Sequence, residues 1–382
     1  MLALVLARDV MTKILMTADV HFGVPGRLRD TLYAVRTMEQ YALENSIDTI
    51  IILGDLFHDR RYLELDVLTH SYRFFEESQN KGLHWITFPG NHDMFLKHSW
   101  EINSLESFKQ VMTVITDIKL IELDNYRFWI VPFIAYEKVY MDVIYALHRL
   151  SKQHYGYDAE NGDHVLTHIG VHGSVLNSCF MLKDWGTVSF KNFNFRQVFT
   201  GHFHCYQSVD NATYPGSPIA FKFDEGNVDH GFIVFDAVKN SHSFHCIEEL
   251  GMKYFPDEEK PTNFITVLPK DINGFDQSFV SGNNIRVILE SEPADNERQE
   301  IKRHLQLLGA KTVRWLNMYQ RQDKMTNVRK NSDIGFRNMF EGYMEQDPSK
   351  WKDLDKHLLL RLNTDIVVSG DAQYYAEQEF TD

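Results

Sequence analysis

What this sequence lacks narrows it first. Its three cysteines, Cys179, Cys205 and Cys246, are scattered without a C-x-x-C pair. That sets aside a zinc–thiolate site and a disulfide framework, and fits a reducing cytoplasm. No apolar run approaches the ~20 residues that a membrane span needs, so no membrane partner is expected. Met1–Val10 is apolar with a single arginine, too short and without a cleavage site for a secretory signal. Met11 opens the run MTKILMTADVHFG, which reads as a better beginning and leaves residues 1–10 as a leader. Basic charge is also short: 39 Lys and Arg stand against 53 Asp and Glu, a net −14. By itself that argues against non-specific nucleic-acid binding, which leaves a basic footprint. Metal ions would neutralise some of the carboxylates, and a partner chain would supply positive surface. Internal repeats and low-complexity segments are absent too.

What is present suits an enzyme. The 382 residues, 43% hydrophobic and 13% aromatic, predict one large domain with a sizeable core plus one or two smaller ones. Eighteen histidines point toward metal chemistry.

Three apolar strands alternate with helical spacing in the first hundred residues. Lys13 to Thr17 ends at Asp19-Val20-His21-Phe22-Gly23, and Asp48 to Leu53 ends at Gly54-Asp55-Leu56-Phe57-His58-Asp59. Trp85 to Phe88 ends at Gly90-Asn91-His92-Asp93. Helices are expected over 28–45 and 63–79. This is the pattern of parallel crossover units with a site at one edge of the sheet. One such turn would be an ordinary loop, since Gly, Asn and Asp make most turns. Three in succession are a signal.

Beyond Ser107 the texture changes. Lys119 to Leu123 and Arg127 to Phe133 flank Asp124-Asn125, a hairpin turn, and a helix follows over 137–152. His164 to Thr167 delivers His168, and Gln197 to Thr200 delivers Gly201-His202-Phe203-His204. With the strands 230–235 and 243–247, these predict a second sheet stacked on the first. The charged, proline-containing stretch 255–262 reads as a linker, followed by a small α+β module of three strands and a helix over 295–308. Residues 321–330 read as a second linker. Amphipathic helices are expected over 332–345, with Phe336, Met339, Phe340 and Tyr343 on one face, and after Asp347-Pro348.

Collected, Asp19, His21, Asp55, Asn91, His168, His202 and His204 are seven oxygen or imidazole donors without a thiolate. Such a set suits manganese, iron or zinc. Seven exceed the needs of one ion and suffice for two if Asp55, central in the order, bridges them. Two ions about 3.5–4 Å apart clamp the attacking and leaving oxygens of a displacement at phosphorus. His92 is then free to act as a general acid on the leaving alkoxide, with Asp93 fixing its tautomer. His172 is a rival ligand, less well placed than His168 because it lies past the strand end in a glycine-flanked loop. Any single histidine here is most often a surface or satisfied core residue. The repetition at strand ends carries the reading.

Asp19-x-His21, Gly54-Asp55, Gly90-Asn91-His92-Asp93, His168 and Gly201-His202-Phe203-His204 together resemble the motifs of the calcineurin-like metallophosphoesterases, in order. Gly54 to Asp59, Tyr214-Pro215-Gly216-Ser217-Pro218, Phe223-Asp224-Glu225 and Gly231-Phe232 look like that superfamily's double-strand-break-repair nuclease branch. SbcD and phage recombination endonuclease subunits belong to it. The resemblance covers 11–247. It implies a four-layer α/β/β/α sandwich over 11–254, a small α+β capping domain over 263–320, and a C-terminal helical segment, 331–382, that binds a partner. It further implies two Mn²⁺ ions, with Mg²⁺, Fe²⁺ or Zn²⁺ as substitutes. Asp19, His21, Asp55 and His204 would hold one ion, and Asp55, Asn91, His168 and His202 the other. His92 matches the catalytic histidine, and His58 a residue near the strand being cut. The implied activity is exonuclease and single-strand endonuclease action on DNA in a bacterial or phage-infected cytoplasm. The implied assembly is a homodimer within a heterotetramer, its partner a coiled-coil ABC-type ATPase like SbcC. The alternative on the same fold is a phosphomonoesterase or cyclic-nucleotide phosphodiesterase.

Overall fold

The computed structural model describes residues 4–6, 13–123, 125–155, 162–177, 180–181, 188–226 and 228–318. By packing, the chain divides into residues 1–288 with 293–316, and a second unit of 289–292 with 317–382. Only 289–292 and 317–318 of the second unit are described. The helices expected beyond 330 lie outside the described residues.

Two large sheets build the core of the first unit. The first has six strands in the order Ser241–Cys246, Gly231–Asp236, Lys13–Thr17, Thr49–Ile52, His84–Thr87 and Thr113–Val114. The last four run parallel, and the helices Leu28–Glu44 and Leu65–Asn80 join the first three of them. The second has seven, in the order Leu4–Leu6, Lys119–Leu123, Tyr126–Val131, His164–His168, Val198–Gly201, Ala212–Tyr214 and Gln207–Val209.

Period-two alternation decides the layers. Leu15, Ile50, Ile52, Phe232 and Val234 pack toward the helix Leu28–Glu44, with Ala34, Val35 and Met38. Their neighbours Ile14, Met16, Ile51, Leu53, Ile233 and Phe235 face the other way and meet Ile121, Phe128, Ile130, Leu166 and Phe199 of the second sheet. The outer face of that sheet, with Trp129, Val131, Val165 and Val198, packs on Tyr140, Ile144 and Leu147 of the helix Glu137–Tyr155. Strands apolar on both faces are what a doubly covered sheet requires. The result is the expected four layers, α/β/β/α.

The strands near 230–247 depart from expectation. They close the first sheet and not the second: Gly231–Asp236 runs antiparallel to Lys13–Thr17 and pairs with Ser241–Cys246. The crossovers build away from one edge of Lys13–Thr17 and leave the other open. A strand apolar on both faces is the element able to cover that edge. Ahead of Lys13, within the stretch expected to be a leader, Leu4–Leu6 lies parallel to Lys119–Leu123 at the margin of the second sheet. The 119–131 hairpin forms as expected, with Asn125 at φ 68° in its turn.

Residues 255–262 are irregular but tethered. Arg36 pairs with Glu258 at 2.8 Å, Arg29 with Glu259, and the Thr262 amide donates to Asp30 at 3.1 Å. A three-stranded sheet of Phe264–Val267, Asn284–Leu289 and Thr312–Asn317, with the helix Asp295–Leu307, follows. No helix among the described residues is long and apolar enough to cross a membrane.

Candidate metal centre

The carboxyl ends of Lys13–Thr17, Thr49–Ile52, His84–Thr87, His164–His168 and Val198–Gly201 deliver the seven donors to one place. Asp19, His21, Asp55 and His202 all have positive φ, at 51°, 49°, 53° and 102°. Non-glycine residues avoid that region, and its cost of order 1–3 kcal/mol each persists only where surroundings over-determine the backbone. Here the Asp19 amide donates to the Gly54 carbonyl and the His21 amide to the Asp55 carbonyl, each at 3.1 Å. Gly90 has a separate reason to be glycine. A Cβ there would collide with the Asp55 carboxylate and backbone amide.

Lone pairs converge. His168 Nδ1 donates to the Leu53 carbonyl at 2.8 Å, which turns Nε2 inward, 3.1 Å from Asn91 Oδ1 and 3.3 Å from Asp55 Oδ2. His202 Nδ1 lies 2.9 Å from the same Asn91 oxygen. His204 Nδ1 meets Glu225 Oε1 at 2.8 Å, which leaves Nε2 facing His21 Nε2 at 3.2 Å and Asp19 Oδ1 at 3.8 Å. His21 Nε2 is 3.8 Å from Asp55 Oδ2.

Ligand atoms facing one another at these distances need a shared proton or a cation between them. Asp19, His21 and His204 form one group whose ligand atoms lie within 4.8 Å of one another, and Asp19, Asp55 and His168 form another. The donor set fits divalent metal ions. Asp19, His21, Asp55, Asn91 and His168 are buried, while His202 and His204 are partly accessible. Exposed His172 lies outside both groups, its amide on the Val188 carbonyl.

Protonation follows the same logic. Burial holds His21 well below the ordinary histidine value, and burial with the His168 charge takes His202 down to about 3. Both are therefore neutral imidazoles, the form that binds metal. Burial would lower His168 too, but the Asp55 and Asp19 carboxylates outweigh it and raise it to about 9. Burial raises Asp55, and His168 and His92 overcome that and hold its carboxylate well below the usual range.

His92 sits at the rim, half-buried. Its amide donates to Asp55 Oδ1 at 2.7 Å and its Nδ1 donates to the His58 carbonyl at 2.7 Å, leaving Nε2 outward from those anchors. The expectation that Asp93 fixes the His92 tautomer is overturned. Asp93 is fully buried and accepts from the amides of Leu56, Phe57 and Gly90 at 3.3, 3.1 and 3.0 Å. It ties the Asp55 loop to the Asn91 loop, and the His58 carbonyl takes the tautomer role. Burial and the Asp55 charge raise Asp93 to about 7. The His58 ring stacks on His92 at 5.6 Å, and these two with His21 form a third close donor group.

Glu225 was visible in the sequence only as part of a resembling stretch. It is buried, and although burial raises carboxylates, His204 holds it far below the usual range. A carboxylate on the far nitrogen of a ligating histidine fixes ring orientation and raises its basicity. No local pattern connects residue 225 to residue 204.

A match to the calcineurin-like phosphoesterase family spans residues 12–206, just over half of the 382. The chain belongs to that family, whose members are hydrolases of phosphoester bonds. Among curated proteins it is 30% identical over 95 residues to the DNA double-strand break repair protein Mre11 of Haloferax volcanii, covering 24% of this chain and 21% of that one. It is 21% identical over 234 residues to Exonuclease subunit 1 of Enterobacteria phage T4, covering 59% and 64% respectively. The chain thus spans less than two thirds of either relative. A solved dimetal phosphatase from Danio rerio is similar at 14% identity and a TM-score of 0.33, over 59% of this chain and 92% of that one.

Proposed function

We propose that this chain is a Mn²⁺-dependent DNA nuclease with exonuclease and single-strand endonuclease activity. The observation that carries the reading is that both curated relatives are named for DNA-break repair or exonuclease action. The motif stretches Gly54 to Asp59 and Tyr214 to Pro218 support it.

In this reading Asp19, His21, Asp55 and His204 would hold one ion, and Asp55, Asn91, His168 and His202 the other. When bound, the pair supplies Lewis-acid charge stabilisation and a water nucleophile near neutral pH. The chain's own contribution is alignment and proton delivery. His168 and His204 are oriented through Nδ1 by Leu53 and Glu225. His92, its Nδ1–H held on the His58 carbonyl, would act as the imidazolium, giving its second proton from Nε2 to the leaving alkoxide and returning to the neutral Nδ1–H tautomer. His58, stacked on His92, lies beside the strand being cut.

Labelled linear DNA degraded with Mn²⁺, and p-nitrophenyl phosphate turned over far less efficiently, is the expected outcome. The opposite preference would place the chain with the monoesterases.

The domain reading completes the proposal: 11–254 is the nuclease domain, 263–320 the cap, and 331–382 the segment that docks on a coiled-coil ABC-type ATPase. The phage relative's designation as a subunit supports a multi-chain assembly. Deleting 331–382 is expected to abolish co-purification with an ATPase encoded beside this gene while metal-dependent activity persists. Retained co-purification would move the docking surface elsewhere.

A further inference from the structure

Glu225 can aim His204 only if the turn that carries it stays in place. That turn, Phe221 to Gly226, is gripped from two sides. From the helix side, the guanidinium of buried Arg27 donates through Nη2 to the Ala220 carbonyl at 2.7 Å and pairs with Asp30 at 2.6 Å. From the other side comes Arg286, on the strand Asn284–Leu289 of the three-stranded module.

Arg286 uses its whole fork. Nη1 meets Asp224 Oδ1 at 3.1 Å, Nη2 donates to the Phe223 carbonyl at 3.4 Å, and Nε donates to Thr266 Oγ1 at 3.1 Å. Its guanidinium also lies 5.0 Å from the Phe223 ring centroid, where Arg314 approaches at 5.9 Å. The Phe223 ring packs edge-on against Phe264 at 5.1 Å. The backbones are so close that a Cβ on Gly226 would collide with the Phe264 carbonyl. At the other end of the turn, Phe221 meets the rings of His21 and His204 edge-on, at 5.5 and 5.9 Å. The Phe221 amide donates to Glu225 Oε2 at 2.8 Å.

We infer that Arg286 is a positioning residue for the metal centre. The module holds the 221–226 turn, the turn holds Glu225, and Glu225 orients His204. The module therefore enters the site without contributing a ligand. A planar fork making three hydrogen bonds and a ring contact cannot be replaced by lysine, whose ammonium offers a point charge alone. This inference rests on the reading that Asp19, His21, Asp55 and His204 hold an ion.

The test is Mn²⁺ titration of metal-free protein by calorimetry, without substrate, on the full chain. Glu225→Gln is expected to weaken one of the Mn²⁺ sites by about 10–100-fold, the usual effect of losing a carboxylate behind a ligating histidine. Arg286→Ala is expected to weaken the same site by about 10-fold, within that same range because it acts through the same group. The double variant should bind no worse than Glu225→Gln alone, because the two act in series. A general loss of packing would instead multiply the two effects.

Wild-type affinity in Arg286→Ala, or multiplied effects in the double variant, overturns the inference. If Arg286→Ala does not fold by circular dichroism, Asp224→Ala, which removes the carboxylate from the Arg286 fork, carries the same comparison, and wild-type Mn²⁺ affinity there overturns it. Wild-type affinity in Glu225→Gln brings down the assignment of His204 as a ligand together with this inference. A weakened Glu225→Gln beside an unaffected Arg286→Ala brings down the inference alone.

Discussion

Replacing His92 by alanine is expected to cut Mn²⁺-supported DNA cleavage by about 10²–10⁴-fold, the range that a positioned general acid contributes. Bound metal should stay unchanged. The geometry gives His92 two anchors that leave Nε2 to act: its amide on Asp55 Oδ1 and its Nδ1 on the His58 carbonyl, both at 2.7 Å. Together the two anchors orient the ring, one through the backbone amide and one through Nδ1–H on a neutral carbonyl. Because His92 also lies close to His21 and His58, the metal count must be read in the same preparation. Lost activity with two Mn²⁺ per chain supports the acid. A lower count would make His92 a ligand, and full activity would falsify its catalytic role.

Removing the metal is expected to make stability fall steeply with rising pH between about 6.5 and 9. The sign follows from which state holds the proton more tightly. His168 is raised in the folded chain to about 9. Its contribution is fully present below the unfolded histidine value near 6.5 and is lost as pH rises through 9. Asp93, raised to about 7, acts in the same direction and has given up most of its contribution by pH 7. The buried neutral histidines His21 and His202 act oppositely, but only below about 6.5, where the unfolded chain takes up protons. Above that pH the decline is unopposed, and His168 alone accounts for on the order of 3 kcal/mol.

With Mn²⁺ bound, the ion replaces the proton, so the loaded protein should be nearly flat over the same range. Each ion bound below pH 9 should also release protons. Thermal melts of chelated and Mn²⁺-loaded protein from pH 6.5 to 9 check both. Parallel curves would mean that His168 does not face the metal.

Much of the fold was legible because burial on two faces leaves a mark. Residues 49–53, Thr-Ile-Ile-Ile-Leu, can only be a strand covered on both sides, and Asp55 two residues later falls at the sheet's edge. Helical spacing gave the helices over 28–44 and 65–80 within a residue or two. The donors were legible for the same reason: crossover topology brings strand ends to one edge wherever the connections are short.

Sheet membership was harder to read. Gly231–Asp236 has the same two-faced pattern as the second sheet's strands, and the pattern names no neighbour. Only the open edge of Lys13–Thr17 settled where it pairs.

By itself, then, the sequence determined most of the strands, the loops at their ends and the polar residues those loops carry, because period and spacing are local properties of a chain. Tertiary structure alone decided what each donor touches. Asp93, one residue from His92, binds the Asp55 loop, because its backbone turns the carboxylate toward three buried amides. Glu225, twenty-one residues from His204, orients it because a turn held by Arg27 and Arg286 carries it there. Side-chain direction depends on φ at Asp19, His21, Asp55 and His202, values that isolated residues avoid and that packing of the assembled loops imposes.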